Sequence, residues 1–206
     1  MNKRGLLARS VVGALGGCLL VGVAGVAMAA PGDTDDVLIN VNIAAAPTQG
    51  DLTMTVAAAS TSLTEVSDPT DAVREFTGTL PNVTVEDDRD AVPAGVFWYV
   101  TGQSSDFTGA SNELTAGNLG WAPNLVTAGN GEVMEGDVVD TVLDTPPNNV
   151  GLEGEELLAM ALDSADAQAA NGSWTANAGL VLKTPGDVTP GAYTATLTLT
   201  LWEDAL

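Results

Sequence analysis

The sequence predicts an all-β chain, an antiparallel β-sandwich formed as a single domain behind an N-terminal export leader. Three observations predict it. Short runs alternate apolar residues with Thr or Asn, turn residues separate those runs at close intervals, and few stretches carry a helical period. Period-two alternation marks strands with one buried face, and many short strands joined by turns favour two sheets packed face to face.

The leader comes first. Lys3, Arg4 and Arg9 make a basic start, Ser10–Met28 is apolar, and Ala27-Met28-Ala29 supplies the small-x-small pattern of a signal-peptidase site. Cleavage is expected between Ala29 and Ala30, because a cut one residue later would leave Pro31 just past the scissile bond. Two rivals compete with this reading. Leu15-Gly16-Gly17-Cys18 has the form of a lipobox, which would lipidate Cys18, and an uncleaved anchor would use the same apolar run. The long apolar stretch after Cys18 argues against the first, and the glycines and the Ala-x-Ala pattern argue against the second. Residues 1–29 are thus read as a signal peptide, 30–36 as a flexible lead and 37–206 as the sandwich. No other stretch is apolar enough to cross a membrane. No sortase-type tail is read after Leu206, so attachment to a cell is expected to be non-covalent.

Val37–Ile43 alternates Val37, Ile39, Val41 and Ile43 against Leu38, Asn40 and Asn42. Leu52–Val56, Val83–Val85, Gly95–Thr101 and Thr194–Trp202 repeat the pattern. Asp68-Pro69, Pro81-Asn82, Asn130-Gly131, Pro146-Pro147, Asn171-Gly172 and Pro190-Gly191 punctuate the chain with turns. Thr61–Phe76 and Glu153–Ala170 are the two stretches with helix-type patterning. In the second, Leu157–Leu162 is read as a buried strand in preference to a helix, and Ser164–Asn171 as a loop.

Composition removes most chemistries. The chain has no His and one Cys, with 6 Lys+Arg against 27 Asp+Glu and a net charge of −21. Without its leader it keeps 3 basic and 27 acidic groups, a net of −24, and no thiol. His-dependent triads, His/Cys zinc sites and a disulfide framework are excluded. So is a basic nucleic-acid footprint. Carboxylates, hard-cation ligation or plain binding remain.

The acids cluster at Asp33, Asp35 and Asp36, and again at Glu86, Asp87, Asp88 and Asp90, which makes calcium the one candidate ion. Neither cluster has the spacing of a calcium-binding loop, and Arg89 sits inside the second, where pairing with a neighbour is the simpler account. No cofactor is otherwise expected. A glycosidase would need two opposed carboxylates, and among 27 acids some pair always looks suitable. The chain is therefore read as a non-enzyme.

Flat rings suit sugar faces. Trp121 (LGWAPN) and Trp174 (NGSWT) stand beside turn residues and are expected to be exposed ligand contacts. Phe97 and Tyr99 must face away from Trp98 on their strand, so one of the two sets looks outward, and Phe97 and Tyr99 are taken with Trp121 and Trp174 as expected ligand contacts. Trp98 and Tyr193 are expected in the core.

Two segments carry a resemblance. Val85–Thr101 reads VEDDRDAVPAGVFWYVT, and the C-terminal Gly191–Leu201 reads GAYTATLTLTL after LVLKTPGDVTP. In order and spacing they resemble the WxL domain of Gram-positive surface proteins. The family's proximal Trp-x-Leu falls on Trp98 and Val100, with Val in place of Leu. Its distal motif falls on Tyr193, Thr196, Leu197, Thr198, Leu199 and Leu201. Leu199 stands where the family has its second Trp, the next Trp is displaced to Trp202 on the opposite face of the strand, and a following proline is missing. The resemblance implies a secreted β-sandwich that associates non-covalently with the cell wall, with peptidoglycan or another wall glycan as ligand, and a companion wall-binding protein as partner. A subunit of a surface layer or fibre that assembles by strand addition is the alternative. A secreted carboxylate-dependent glycan hydrolase is the third reading.

Overall fold

Alternation decides the strands. The computed structural model describes residues 50–110 and 114–205, and among them antiparallel strands dominate, with one short α-helix. The leader, the Ala29/Ala30 cleavage site, Cys18, the acids Asp33, Asp35 and Asp36, and the strand expected at Val37–Ile43 lie outside the described residues.

The first sheet is built on one long strand. It contains β1 (Leu52–Val56), β2 (Thr64–Glu65), β3 (Val73–Thr79), β4 (Val83–Asp87), β7 (Leu119–Leu125) and β10 (Ser173–Pro185). Ser173–Ala176 of β10 pairs with β4 and Gly179–Pro185 with β3, while β7 takes Ala176–Leu182. β1 flanks β4 and β2 flanks β3. The second sheet runs in the order β12 (Leu197–Ala205), β5 (Val96–Ser104), β9 (Glu156–Ala161), β8 (Val133–Glu135). A small ribbon joins β6 (Thr108–Gly109) to β11 (Tyr193–Thr194). The all-β antiparallel sandwich is thus the observed fold.

The two sheets meet through their inward residues. Trp98 and Val100 of β5 and Leu158 of β9 share a core with Val83 and Val85 of β4 and with Trp174 and Ala176 of β10. A buried tryptophan removes roughly 150–250 Å² from water, on the order of 4–6 kcal/mol at about 25 cal/mol per Å². Three of the four tryptophans, Trp98, Trp121 and Trp174, lie in the buried core.

Two sequence expectations are corrected. The run read at Leu157–Leu162 forms a strand over Glu156–Ala161, with Leu162 beyond its end and exposed, but Ser164–Ala170 is an α-helix (α1) and not a loop. Asp163 caps it, accepting hydrogen bonds from the backbone N–H of Ala165 and Asp166, and its alanines favour the helix. The run expected from Thr194 to Trp202 is divided: Tyr193–Thr194 pairs with β6, and the strand resumes at Leu197. Among the described residues no helix is long and apolar enough to cross a membrane.

Candidate functional site

The outer face of the second sheet presents an aromatic ladder. Alternation on β5 buries Trp98 and Val100, each 1% exposed, and sends Phe97 and Tyr99 to the other side. The Phe97 and Tyr99 rings lie 5.8 Å apart at 23°. The register of β12 on β5 sets Trp202 directly opposite Tyr99, and those rings lie 6.4 Å apart at 21°. Across the sheet the row continues, since Tyr99 pairs with Met160 of β9 and Met160 with Met134 of β8.

Polar contacts fix the orientation of these rings. The Tyr99 hydroxyl donates to Asp204 Oδ2 at 2.8 Å, and Trp202 Nε1–H donates to Thr101 Oγ1 at 3.0 Å. The hydrogen bond to Asp204 raises the Tyr99 phenol above its ordinary value, with lost hydration and the Asp204 charge adding to it. Trp202 remains 39% exposed. Near-parallel, pre-oriented rings beside carboxylate and hydroxyl groups have the geometry on which a flat apolar ligand face can stack, with polar groups at its rim. Ordering such rings in advance reduces the entropy lost on binding.

The other expected contacts are not at this surface. Trp121 and Trp174 are buried, at 1% and 4% exposure, so the expectation of exposed ligand contacts is corrected. Gly120 beside Trp121 marks a close backbone approach and not a turn: a Cβ there would come within 2.5 Å of the Val139 carbonyl, where Trp121 bridges to Val139. Asn171-Gly172 does turn the chain, with Gly172 at φ 69°, but alternation then points Trp174 inward. Its Nε1–H donates to the Ala167 carbonyl of α1 at 3.0 Å.

The motif residues lie on neighbouring strands. Val100 pairs with Leu201 and Gly102 with Leu199, so both motifs meet across β5 and β12. Leu197, Leu199 and Leu201 point inward and are half-buried, while Thr198 faces out. Thr196 is exposed, its N–H bonded to Ser105 Oγ. Tyr193, expected in the core, is half-buried against it and donates to the Thr189 carbonyl.

The second acidic cluster does not converge. Glu86 is exposed on the face of β4 opposite buried Asp87, Asp88 accepts from the Asp51 backbone N–H, and Asp90 is exposed. Among the described residues no three His, Cys, Asp or Glu side chains come together to hold a metal. Arg89 turns back on Asp87, its Nε and terminal nitrogen at 2.8 and 2.6 Å from the two carboxylate oxygens.

A second concavity, a groove of about 910 Å³, opens between the sheets. Leu180 and Leu182 of β10 form its floor, and Met54 and Val56 of β1 and Leu197 and Leu199 of β12 contribute to its walls. Among the described residues it is lined by no carboxylate.

Two features escaped sequence reading. Trp202 was legible as facing away from Leu199 and Leu201, but that it neighbours Tyr99 depends on which strand β12 pairs with. The groove depends on strand order, which local pattern does not encode. No protein-family model matches the chain, and no curated protein matches it.

Proposed function

We propose that the chain is an exported, non-enzymatic surface protein of WxL type that holds cell-wall glycan, peptidoglycan foremost, on the aromatic ladder of the second sheet. The observation that carries the reading is the alignment of Phe97, Tyr99 and Trp202 on one outer face. The basic, apolar and Ala-x-Ala segments at the N-terminus support export. The resembling motifs contribute from beneath: Trp98, Val100 and Leu201 point inward and fix the register that places Tyr99 beside Trp202. A net charge of −24 after the leader disfavours direct adhesion to anionic wall polymers, so contact with the wall needs uncharged sugar, divalent ions or a partner protein.

The test is sedimentation of the secreted chain with purified peptidoglycan. Retention is expected, and Trp202→Ala or Tyr99→Ala should weaken it about tenfold, the equivalent of about 1.4 kcal/mol. Buried Trp174→Ala should instead cost about 3–5 kcal/mol of folding stability. No retention with or without calcium removes direct glycan binding and directs the search to a wall-bound protein partner.

A further inference from the structure

The aromatic ladder stands in an unbalanced electrostatic setting. Among the described residues the basic side chains are Arg74, Arg89 and Lys183, and all of them are committed elsewhere. Arg74 on β3 pairs with Glu65, and Lys183 on β10 pairs with Asp144 and Glu75, both on the first sheet. Arg89 pairs with Asp87 and Glu203. Glu203 lies between Trp202 and Asp204 on β12, so alternation turns it, and Arg89 with it, to the opposite side of that strand.

The ladder's own side keeps carboxylates. Asp204 stands opposite Phe97 in the register of β12 on β5 and accepts the Tyr99 hydroxyl, and Glu155 is exposed just ahead of β9. The Tyr99 phenol senses both acids: its hydrogen bond to Asp204 raises it most, and the charge of Glu155 adds to the shift. Among the described residues neither acid has a cationic partner.

Rings and acids favour the same kind of guest. The faces of Phe, Tyr and Trp carry negative charge density and attract an ammonium within about 6 Å of the ring centre. A carboxylate held at the ring edge adds Coulomb attraction that no neighbouring cation cancels. An uncharged sugar meets no repulsion here, but it leaves Asp204 and Glu155 unanswered. A sugar with a protonated amine stacks by its apolar face and answers them with its charge. A basic peptide supplies the charge without the flat face that these near-parallel rings are set to receive.

Building on the glycan reading above, we infer that the ladder selects an amino-sugar glycan whose amines are free and protonated. Phe97, Tyr99 and Trp202 stack on its sugar rings, and Asp204 and Glu155 attract its ammonium groups.

Calorimetric titration of the secreted chain with a glucosamine hexamer and an N-acetylglucosamine hexamer tests the selection. At about pH 5.5 an amine is protonated and ordinary carboxylates are ionised. The glucosamine hexamer should bind at least about tenfold more tightly in low salt. At about 0.5 M salt that advantage should fall to about threefold or less. Asp204→Asn with Glu155→Gln should abolish the advantage while the N-acetylated hexamer still binds, which shows the ladder intact. Asp51→Asn with Asp187→Asn removes two exposed carboxylates next to strands of the first sheet and should leave the advantage unchanged. Equal affinity for the two hexamers overturns the inference, as does an advantage that follows Asp51 and Asp187 in place of Asp204 and Glu155. A hexalysine peptide bound as tightly as the glucosamine hexamer would show attraction by charge alone and also overturn it. Binding of neither hexamer with peptidoglycan still retained overturns the selection and leaves the glycan reading standing. Loss of both overturns the two together.

Discussion

Arg89 reaches across the sandwich to Glu203, a residue 114 positions later, donating to both of its carboxylate oxygens at 3.0 and 2.8 Å while also holding Asp87. Arg89 follows β4 and Glu203 lies on β12, so one guanidinium ties an edge of the second sheet to the first. Gln168 of α1 donates to the Arg89 carbonyl at 2.6 Å, and Ser164 Oγ lies 3.4 Å from Glu203. The Asp87 hydrogen bond outweighs burial and, with Glu203, holds Arg89 above the ordinary arginine range. Removing the Arg89 side chain takes the ion-pair partner from the Asp87 carboxylate, 3% exposed, and leaves it only the hydrogen bonds from the residue 89 backbone N–H and Gln168. Arg89→Ala should therefore cost about 3–5 kcal/mol in urea unfolding. Glu203→Gln keeps Asp87 paired and should cost about 1 kcal/mol. Equal costs would show that Glu203, and not Asp87, is the partner that matters.

The aromatic ladder rests on a close approach beneath it. A Cβ on Gly102 would lie 2.6 Å from the Trp121 ring and 3.2 Å from Leu199. Gly102→Ala should destabilise the fold by about 1–3 kcal/mol. Trp121→Phe should relieve part of that cost in the double variant, because the two residues share one space. The Trp121 Nε1–H has no hydrogen-bond partner among the described residues, so the phenylalanine also removes an unsatisfied donor. Additive costs in a double-mutant cycle would contradict the contact.

Tyr99 carries a titration signature of the outer face. Its hydroxyl donates to Asp204, so the phenol should ionise above the ordinary value of 10.0. A raised folded value means that the bond stabilises the fold below that ordinary value, and that this contribution is lost as pH rises through the folded one. Absorbance titration should show the Tyr99 phenol ionising late, and Asp204→Asn should bring it back toward 10.0. No change in the variant would detach Asp204 from the ladder.

Acid stability reports a different pair. Burial pushes Asp144 up, but hydrogen bonds from Lys183 and Thr141 outweigh it, and the carboxyl sits below its ordinary 3.8. Its contribution is complete above that value and is lost as pH falls through the lower folded one. Lys183 is raised by the hydrogen bond to Asp144, so its share is present below 10.5 and is lost as pH rises past the folded value. Urea midpoints measured between about pH 2 and 6 should fall less steeply for Asp144→Asn than for the unaltered chain. Parallel profiles would count against the pair.

What the residues determined alone follows from local physics. Alternation set the strands at Leu52–Val56, Val83–Val85 and Gly95–Thr101, and it sent Phe97 and Tyr99 to the side opposite Trp98, because neighbouring strand residues point to opposite faces. Composition excluded histidine chemistry outright and placed the one thiol, Cys18, in the expected leader. Pattern failed where the neighbour decides. The neighbours of Trp121 in LGWAPN and of Trp174 in NGSWT read as turn residues that would expose both rings, yet β10 pairs with β7 and β4 and draws both into the core. Only the pairing of β12 with β5 sets Trp202 beside Tyr99, and only the order of strands leaves a groove at the β12 edge, because contacts between distant segments are energies of the assembled sheets and have no local trace.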